Sequence, residues 1–411
     1  METEKRTICL VSLPSPFLMD DKVFPPLGIL YVAAALRNDG HNVYVHDGSI
    51  KDIPHMGGYY GISATTPQFP LAIKALKRIK SYDSWNYVVI GGPHATVDPD
   101  SCLEAGFDGV VIGDGEIAGS IAFGLLTKRI ECQSVKSWDK GRCYIHHYLP
   151  ARDLINIHDY KYEIDGRPAT TVMTSRGCPY SCAFCCKITK NVQIFSARHV
   201  ISELQELKDK YGYTAFMFFD DVFIINRERF TMIAMWMKEN NIIWRGFARA
   251  DLIVKGGPGM VREMKDSGCV EVGIGVESGS DRILSAVNKG ENAETIKKAI
   301  RLLKSAGIRV KGFFIVGLPG EDFESLKETE EFLEEVELDD VDFSIFVPFK
   351  GSRIYKFKHE YDIHFDTLEL KNLWYKGKPG QYKSLVRTQA LNETMIVKAR
   401  NRLERMFKKW R

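Results

Sequence analysis

Apolar residues in the first 130 positions fall in short runs separated by segments of helical period, the pattern of a parallel sheet whose strands are joined by helices. The runs predict strands over 8–13, 42–46, 59–64, 87–90 and 109–112, and helices over 27–38, 69–80 and 99–105. From residue 170 the alternation resumes. Strands are predicted over 171–174, 215–219, 243–247, 270–275, 309–316 and 342–347, with amphipathic helices between them, including 198–211 and 293–306. Six such units in about 190 residues suit a partial (β/α) barrel, whose reactive groups sit at the C-terminal ends of the strands. The chain is α/β throughout: a domain over 1–130, a linker over 131–165, a barrel over 166–356 and a short helical extension over 357–411.

The predicted strand ends carry polar and glycine-rich loops. In the first domain these are Ser63, Ala64, Thr65 and Thr66, then Gly91, Gly92, Pro93 and His94, then Gly113, Asp114, Gly115 and Glu116. Open α/β sheets bind ligands at such ends. Glycine lets a bulky ligand approach the backbone, and the helix starts beyond offer amide donors; the same glycines would also serve a tight turn with no ligand. Read alone, the domain is flavodoxin- or Rossmann-like and takes a nucleotide or cofactor. His94 reads as a polar contact rather than a metal ligand, and His46 as structural. Trp138, Cys143 and the pair His146 and His147 lie in the linker, where neighbours in extended chain point to opposite sides.

Beyond the barrel, His364, Trp374, Tyr375 and Tyr382 precede a stretch in which Leu391, Met395, Ala399, Leu403, Met406 and Trp410 recur at near-helical spacing. From Arg387 onward there are eight basic and two acidic residues. A docked terminal helix with a solvated face is expected, ahead of a basic surface for an acidic partner or nucleic acid.

Over the 411 residues, 56 Lys and Arg against 53 Asp and Glu leave a net charge of +3, too balanced to mark a nucleic-acid-binding protein. No run approaches the roughly 20 apolar residues that span a bilayer. The charged N-terminus leads into a run broken by Pro14 and Pro16, unlike a signal peptide. The nine cysteines are an odd, mostly scattered set that suits a reducing cytoplasm, not a disulfide framework.

Four cysteines crowd into one loop after the first barrel strand. Cys178, Cys182 and Cys185 are spaced Cys-x3-Cys-x2-Cys behind Gly177, and Cys186 follows at once. A structural zinc site closes with four protein ligands, and an ordinary iron-sulfur carrier also uses four. Three in one loop leave one iron of a 4Fe-4S cluster open. A zinc loop completed by Cys186 or a distant residue, and a redox cysteine cluster, are the alternatives; Cys186 is read as a non-ligand neighbour.

With the aromatic Phe184 just ahead of the last cysteine, the loop resembles the signature of radical S-adenosylmethionine (SAM) enzymes, in which SAM chelates the open iron. The resemblance implies a 4Fe-4S cluster on Cys178, Cys182 and Cys185. It also implies SAM contacts from Phe184, from Phe219, Asp220 and Asp221 after the second strand, from Arg249 after the third, from Glu277 and Ser278 after the fourth, and from Ile315 and Gly317 after the fifth. Glu321, one position off the family spacing, is given no direct role. The N-terminal layout, with Pro25, Pro26, Leu27 and Gly28 ahead of the first helix, resembles the cobalamin-binding domain upstream of many radical SAM cores. That implies cobalamin contacts from Leu13, Pro14, Gly28, Ser63, Thr65, Thr66, Gly91, Gly92, Pro93, His94, Gly113, Gly115 and Glu116. The loop over 12–21 has no histidine, so none is expected beneath the cobalt. Residues 149–153 resemble the interdomain arm of the same family.

Together the two blocks resemble the cobalamin-dependent radical SAM methyltransferases. The implied chemistry uses SAM twice, once to methylate Co(I) cobalamin and once to yield the 5'-deoxyadenosyl radical; a substrate carbon radical then captures the methyl from methylcobalamin. The implied substrate is an unactivated carbon of a peptide or protein side chain, with a glutamine of methyl-coenzyme M reductase suggested by size and layout. A small natural product or lipid precursor, a non-methylating cyclisation or rearrangement, and a degenerate domain that only docks remain open. Methylthiotransferases are disfavoured, because Cys9 and Cys102 stand alone where those proteins carry an N-terminal cysteine trio. A monomer served by an electron donor such as ferredoxin or flavodoxin, away from any membrane, completes the expectation.

Overall fold

In the computed structural model, which describes residues 5–16, 18, 20–116, 123, 129–131, 148–188, 192–366 and 381–409, the first apolar run forms β1 (Thr7–Ser12). Ile8, Cys9, Leu10 and Val11 are all buried, as a parallel strand covered on both faces requires. Around it lie β2 (Asn42–Asp47), β3 (Tyr59–Ser63), β4 (Tyr87–Gly91), β5 (Gly109–Ile112) and β6 (Arg129–Glu131), in the order β2-β1-β3-β4-β5-β6 and all parallel. The helix Leu27–Asn38 lays Ile29, Ala33 and Leu36 against one face of this sheet, and Phe69–Tyr82 lays Ala72, Ala75, Leu76 and Ile79 against the other. The sequence reading lacked β6 and the short helix Pro93–Val97.

The chain divides into two compact units, Met1–Tyr162 with Ile188–Phe195, and Glu163–Lys187 with Ser196–Arg411. The described part of the stretch read as a linker therefore packs with the first unit up to Tyr162. Ala151 donates its N–H to the Leu30 carbonyl at 3.0 Å, Arg152 is buried, and the Tyr160 hydroxyl bonds the Asp47 carboxylate beneath Lys22. Trp138, Cys143, His146 and His147, like Trp374, Tyr375 and Trp410, lie outside the described residues.

The second unit carries seven strands that neighbour one another in chain order: β7 (Tyr162–Ile164), β8 (Arg167–Val172), β9 (Ala215–Phe218), β10 (Ile243–Ala248), β11 (Cys269–Glu277), β12 (Arg309–Val316) and β13 (Asp340–Ile345). From β8 to β13 every pairing is parallel, which gives the expected partial barrel. β7 precedes the barrel through a two-residue turn, Asp165 and Gly166, with φ of 48° and 74°, the geometry that Asp-Gly favours in hairpins. Along β10 and β12 buried and half-buried residues alternate. The less buried set includes Phe247 and Phe313, whose rings lie 5.8 Å apart. Gly273 sits between them, since a Cβ there would come within 2.8 Å of both rings.

The first barrel strand ends earlier than its apolar run suggests, at Val172 rather than 174, because Thr174 turns its N–H to the Asp220 carboxylate at 2.5 Å instead of to a neighbouring strand. The terminal helix, Glu393–Lys409, is docked, but its inward face differs from the predicted stripe. Ile396, Arg400 and Leu403 are buried while Met395 is exposed, because Arg400 donates Nε–H to the Phe343 carbonyl at 3.0 Å and stacks on Tyr382. No helix among the described residues is long and apolar enough to cross a membrane.

Candidate functional site

In the first unit the winding reverses between β1 and β3, and doubly wound sheets take ligands in the crevice at the C-terminal ends of such strands. The chain leaves β1 at Ser12 and β3 at Ser63 there. Gln68 ties the two exits together. Its Nε2 donates to the Leu13 and Pro14 carbonyls at 2.9 and 3.3 Å, and its Oε1 accepts the Thr65 N–H at 3.0 Å and hydroxyl at 2.9 Å. The third exit is sewn to the second by Ala64 N–H to Gly91 O at 3.2 Å and His94 N–H to Ala64 O at 2.9 Å. A Cβ on Gly92, where φ is 88°, would lie 2.7 Å from Ser63 Oγ and 3.1 Å from the Ala64 backbone, so only glycine fits.

Small residues form the rest of this rim. Gly113 donates its N–H to Thr96 Oγ1 at 3.0 Å, Gly115 passes where a Cβ would meet Val32 at 2.8 Å, and Gly28 has open space above it. Pro93, Thr66 and Glu116 are half-buried beside them. The His94 ring is buried against Phe69, with Nδ1 3.3 Å from Thr66 Oγ1 and Nε2 3.2 Å from Ser101 Oγ. Both nitrogens lie beside hydroxyls of the protein, so His94 fastens the loop. Gln68 escaped the sequence reading because its partners at Leu13 and Pro14 lie 55 and 54 positions away.

In the second unit the cysteine loop is held at both ends. Before it, the Asp220 carboxylate accepts the Thr174 N–H, the Thr174 hydroxyl and, at 2.8 Å, the Ser175 hydroxyl, while Arg229 donates to the Thr174 carbonyl at 2.8 Å. Asp220 is buried and serves as a strut of the loop; Asp221 and Phe219 are the exposed members of that strand end. Within the loop, Ala183 donates to the Val287 carbonyl at 2.7 Å and accepts from Ile354 N–H at 3.1 Å. Asn288 Nδ2 donates to the Ser181 carbonyl at 2.8 Å. Cys178, Cys182 and Cys185 remain partly accessible as free thiols. Cys186 faces elsewhere, its thiol 3.3 Å from the Lys350 carbonyl and its backbone bridged to Ser352.

Cationic groups gather at Cys182. The Cys185 thiol donates to its sulfur and, with Lys289 and Arg249 nearby, brings the Cys182 pKa down to about 6, which favours the thiolate that metals bind. Arg249 Nη1 lies 3.9 Å from Cys182 Sγ, and the guanidinium covers the Tyr180 ring at 3.6 Å. Glu277 ends β11 at φ 66°, past an irregularity in the pairing with β12, and its carboxylate receives the Lys289 ammonium at 2.9 Å. Gly275 leaves room for this pair, since a Cβ there would push the Glu277 carboxylate, 2.4 Å away, and the Lys289 ammonium, 3.0 Å away, from their places. Phe184 and Ile315 are half-buried. Ser278 is turned away: it is 1% exposed, its Oγ accepts the Ser280 N–H at 3.2 Å and lies 3.4 Å from Thr329 Oγ1. Gly317 gives its N–H to Glu321 Oε2 at 2.6 Å and lies under Ile396. Lys289 and Glu291 were not singled out from the sequence, because they follow no strand end and carry no motif.

The donor set fits a 4Fe-4S cluster. Such a cluster attaches each cysteine to a different iron, so the sulfurs need not converge as the ligands of one ion do. Among the described residues no three His, Cys, Asp or Glu side chains meet closely enough for a single metal ion. Gly28 has open space beside it, and the small residues Gly92 and Gly113 turn at positive φ on the same rim, which suits a broad ligand lying against backbone, as a corrinoid does.

Comparison with known proteins places both units. The B12 binding domain family matches residues 21–122 and the radical SAM superfamily residues 172–333, so the class is a radical SAM enzyme with a B12-binding domain ahead of its barrel. An uncharacterized methyltransferase of Pyrococcus horikoshii, PH0819, is 30% identical over 364 residues, covering 81% of this chain and 78% of that protein. The anaerobic magnesium-protoporphyrin IX monomethyl ester cyclase of Cereibacter sphaeroides is 25% identical over 90% of this chain and 66% of its own length. The structure of the radical SAM methyltransferase TsrM from Kitasatospora setae, with tryptophan and a SAM analogue bound, shares the fold with a TM-score of 0.69 at 15% identity, over 87% of this chain and 76% of that one. The chain belongs to the cobalamin-dependent radical SAM methyltransferase family.

Two local predictions follow from the geometry. Gly92→Ala forces a side chain into the Ser63–Ala64 backbone at positive φ and costs about 1–3 kcal/mol. Reconstituted protein is expected to retain less corrinoid per chain and to melt earlier; a variant matching the parent in both would refute the close-approach argument. Glu321 is the second case. Burial pushes its carboxyl from 4.5 up to about 8, so the folded chain keeps a proton that the unfolded chain releases. Stability from this group is whole below pH 4.5 and lost as pH rises to about 8. Thermal melting across that window should show the parent losing ground to Glu321→Gln, and two parallel curves would contradict it.

Proposed function

We propose that the protein is a C-methyltransferase acting on an unactivated carbon of a peptide or protein side chain, with a glutamine of methyl-coenzyme M reductase as the first candidate and a ferredoxin or flavodoxin as electron donor. The reading is carried by one observation: a three-cysteine loop whose fourth cysteine, Cys186, is engaged by the Lys350 carbonyl, in a chain whose other unit places glycines at the strand exits around its switch point. Together, a 4Fe-4S cluster, SAM and cobalamin supply a carbon-centred radical and a methyl donor.

The chain's own residues do the placing. Cys178, Cys182 and Cys185 would hold three irons. Phe184, Phe219, Asp221, Arg249, Glu277, Ile315 and the Gly317 strand end would receive SAM, with Glu277 and Asp221 offering carboxylates to its ammonium. Leu13, Pro14, Gly28, Ser63, Thr65, Thr66, Gly91, Gly92, Pro93, Gly113, Gly115 and Glu116 would line the corrinoid. The half-buried aromatics Phe247 and Phe313 exclude water from the barrel interior, which protects a reactive radical. Similarity to methyltransferase PH0819 supports methyl transfer.

A second reading, cyclisation or rearrangement without methyl transfer, is favoured by the similarity to the magnesium-protoporphyrin cyclase. Anaerobic reconstitution with iron, sulfide and hydroxocobalamin, followed by incubation with SAM, a reductant and glutamine-containing peptides, separates the two. Formation of 5'-deoxyadenosine, S-adenosylhomocysteine and a peptide heavier by one methyl supports the proposal. 5'-Deoxyadenosine without S-adenosylhomocysteine points to the second reading, and neither product overturns both.

A further inference from the structure

We infer that Lys289 sets the charge beside the cysteine loop and thereby the reduction potential of the cluster held there; this rests on the reading of Cys178, Cys182 and Cys185 as ligands of a 4Fe-4S cluster. Lys289 lies on a turn between Asn288, at φ 51°, and Gly290, at φ 73°. Its two ends face different parts of the site. The carbonyl accepts Arg249 Nη2–H at 3.0 Å and lies 3.9 Å from Cys182 Sγ, while the ammonium reaches Glu277 at 2.9 Å and Glu291 at 3.5 Å.

The group is buried throughout. Side-chain exposure is 6% for Lys289, 10% for Glu277, 8% for Arg249 and 0% for Glu291. The ammonium is enclosed with two carboxylates, Glu277 and Glu291, as its partners. Glu291 also pairs with Arg249 at 3.2 Å and accepts the Asp251 N–H at 2.8 Å. Apolar residues of the same volume would hold this turn as well or better, because buried ion pairs rarely stabilise a fold relative to hydrophobic packing. What apolar residues would not supply is a fixed positive charge in a low-dielectric wall. Reduction adds one electron to a cluster without adding a proton, so a nearby cation stabilises the reduced form and a nearby carboxylate opposes it.

The test is a potentiometric titration, followed by electron paramagnetic resonance, of the full chain reconstituted with iron and sulfide. It uses a low-potential one-electron donor and the same buffer and pH for every variant. Lys289→Met should shift the reduction equilibrium against the reduced form by roughly tenfold, about 59 mV to the negative side for one electron. Glu291→Gln should move it the other way. Lys289→Arg, and the double variant Lys289→Met with Glu291→Gln, should stay near the parent because the local charge is unchanged. A merely structural lysine would lower the melting temperature of these variants and leave every potential where it was, which overturns the inference. Should Lys289→Met fail to take up iron, Glu291→Gln decides: an upward shift supports the inference and an unmoved potential sinks it. A parent chain that assembles no cluster refutes the ligand reading itself, a distinct outcome.

Discussion

Alanine at Cys178, Cys182 or Cys185 abolishes formation of 5'-deoxyadenosine, whereas alanine at Cys186 leaves iron content and SAM cleavage in place. Each of the first three sulfurs belongs to the partly accessible set in the loop, and a cluster with one open iron has no protein ligand to lose. Cys186 differs by its surroundings and not by its chemistry. Its thiol donates to the Lys350 carbonyl and its backbone pairs with Ser352, so its replacement costs about 1 kcal/mol of hydrogen bonding and no ligand. Iron and sulfide assays on the four variants, read beside 5'-deoxyadenosine yield, check this. Loss of metal from Cys186→Ala would restore the closed four-cysteine site that the proposed chemistry excludes.

How much of this was legible beforehand depends on the range of the interactions. The helix Leu27–Asn38 and the strand Arg309–Val316 match the expected bounds because local signals mark both: Pro25 and Pro26 before the helix, Asp39 and Gly40 after it, and for the strand Gly307 ahead of it and Gly317 directly behind its apolar run. The cysteine spacing is a local signal too. Less legible is the direction taken by a polar residue at a strand end, which could face either way. Asp220, Ser278 and His94 all occupy positions where a ligand contact is plausible, and each is turned inward by partners 46, 51 and 28 residues distant. Lys289 and Glu291 are the converse case, ordinary charged residues in sequence that acquire meaning only when the turn brings them beside Arg249 and Cys182. The terminal helix shows the same limit, since a buried Arg400 rotates the inward face away from the apolar stripe.

Asp220→Ala should unfold the second unit more readily than any other single change outside its apolar core, by about 3–5 kcal/mol. Three donors converge on this carboxylate: the Thr174 N–H, the Thr174 hydroxyl and the Ser175 hydroxyl. The Arg229 guanidinium adds a favourable charge, although burial still pushes the Asp220 pKa up. Removing the carboxylate orphans the donors inside the protein and takes away a charge that favours the buried Arg229 guanidinium, and both penalties fall on one site. Asparagine is no remedy, because its amide nitrogen would turn a donor toward donors. The consequence reaches function through the backbone: Thr174 and Ser175 lead directly into Gly177 and Cys178, so a slack strut lowers iron uptake even where the fold survives. Denaturant midpoints for Asp220→Ala, Arg229→Met and the double variant distinguish this from a generic core defect. The double variant should lose less than the two singles summed, by about 1–3 kcal/mol, because with both partners removed no buried guanidinium is left to lose that charge. Additive losses would mean that Arg229 and Asp220 act independently, and Asp220 would then be an isolated capping group for the two residues before the loop.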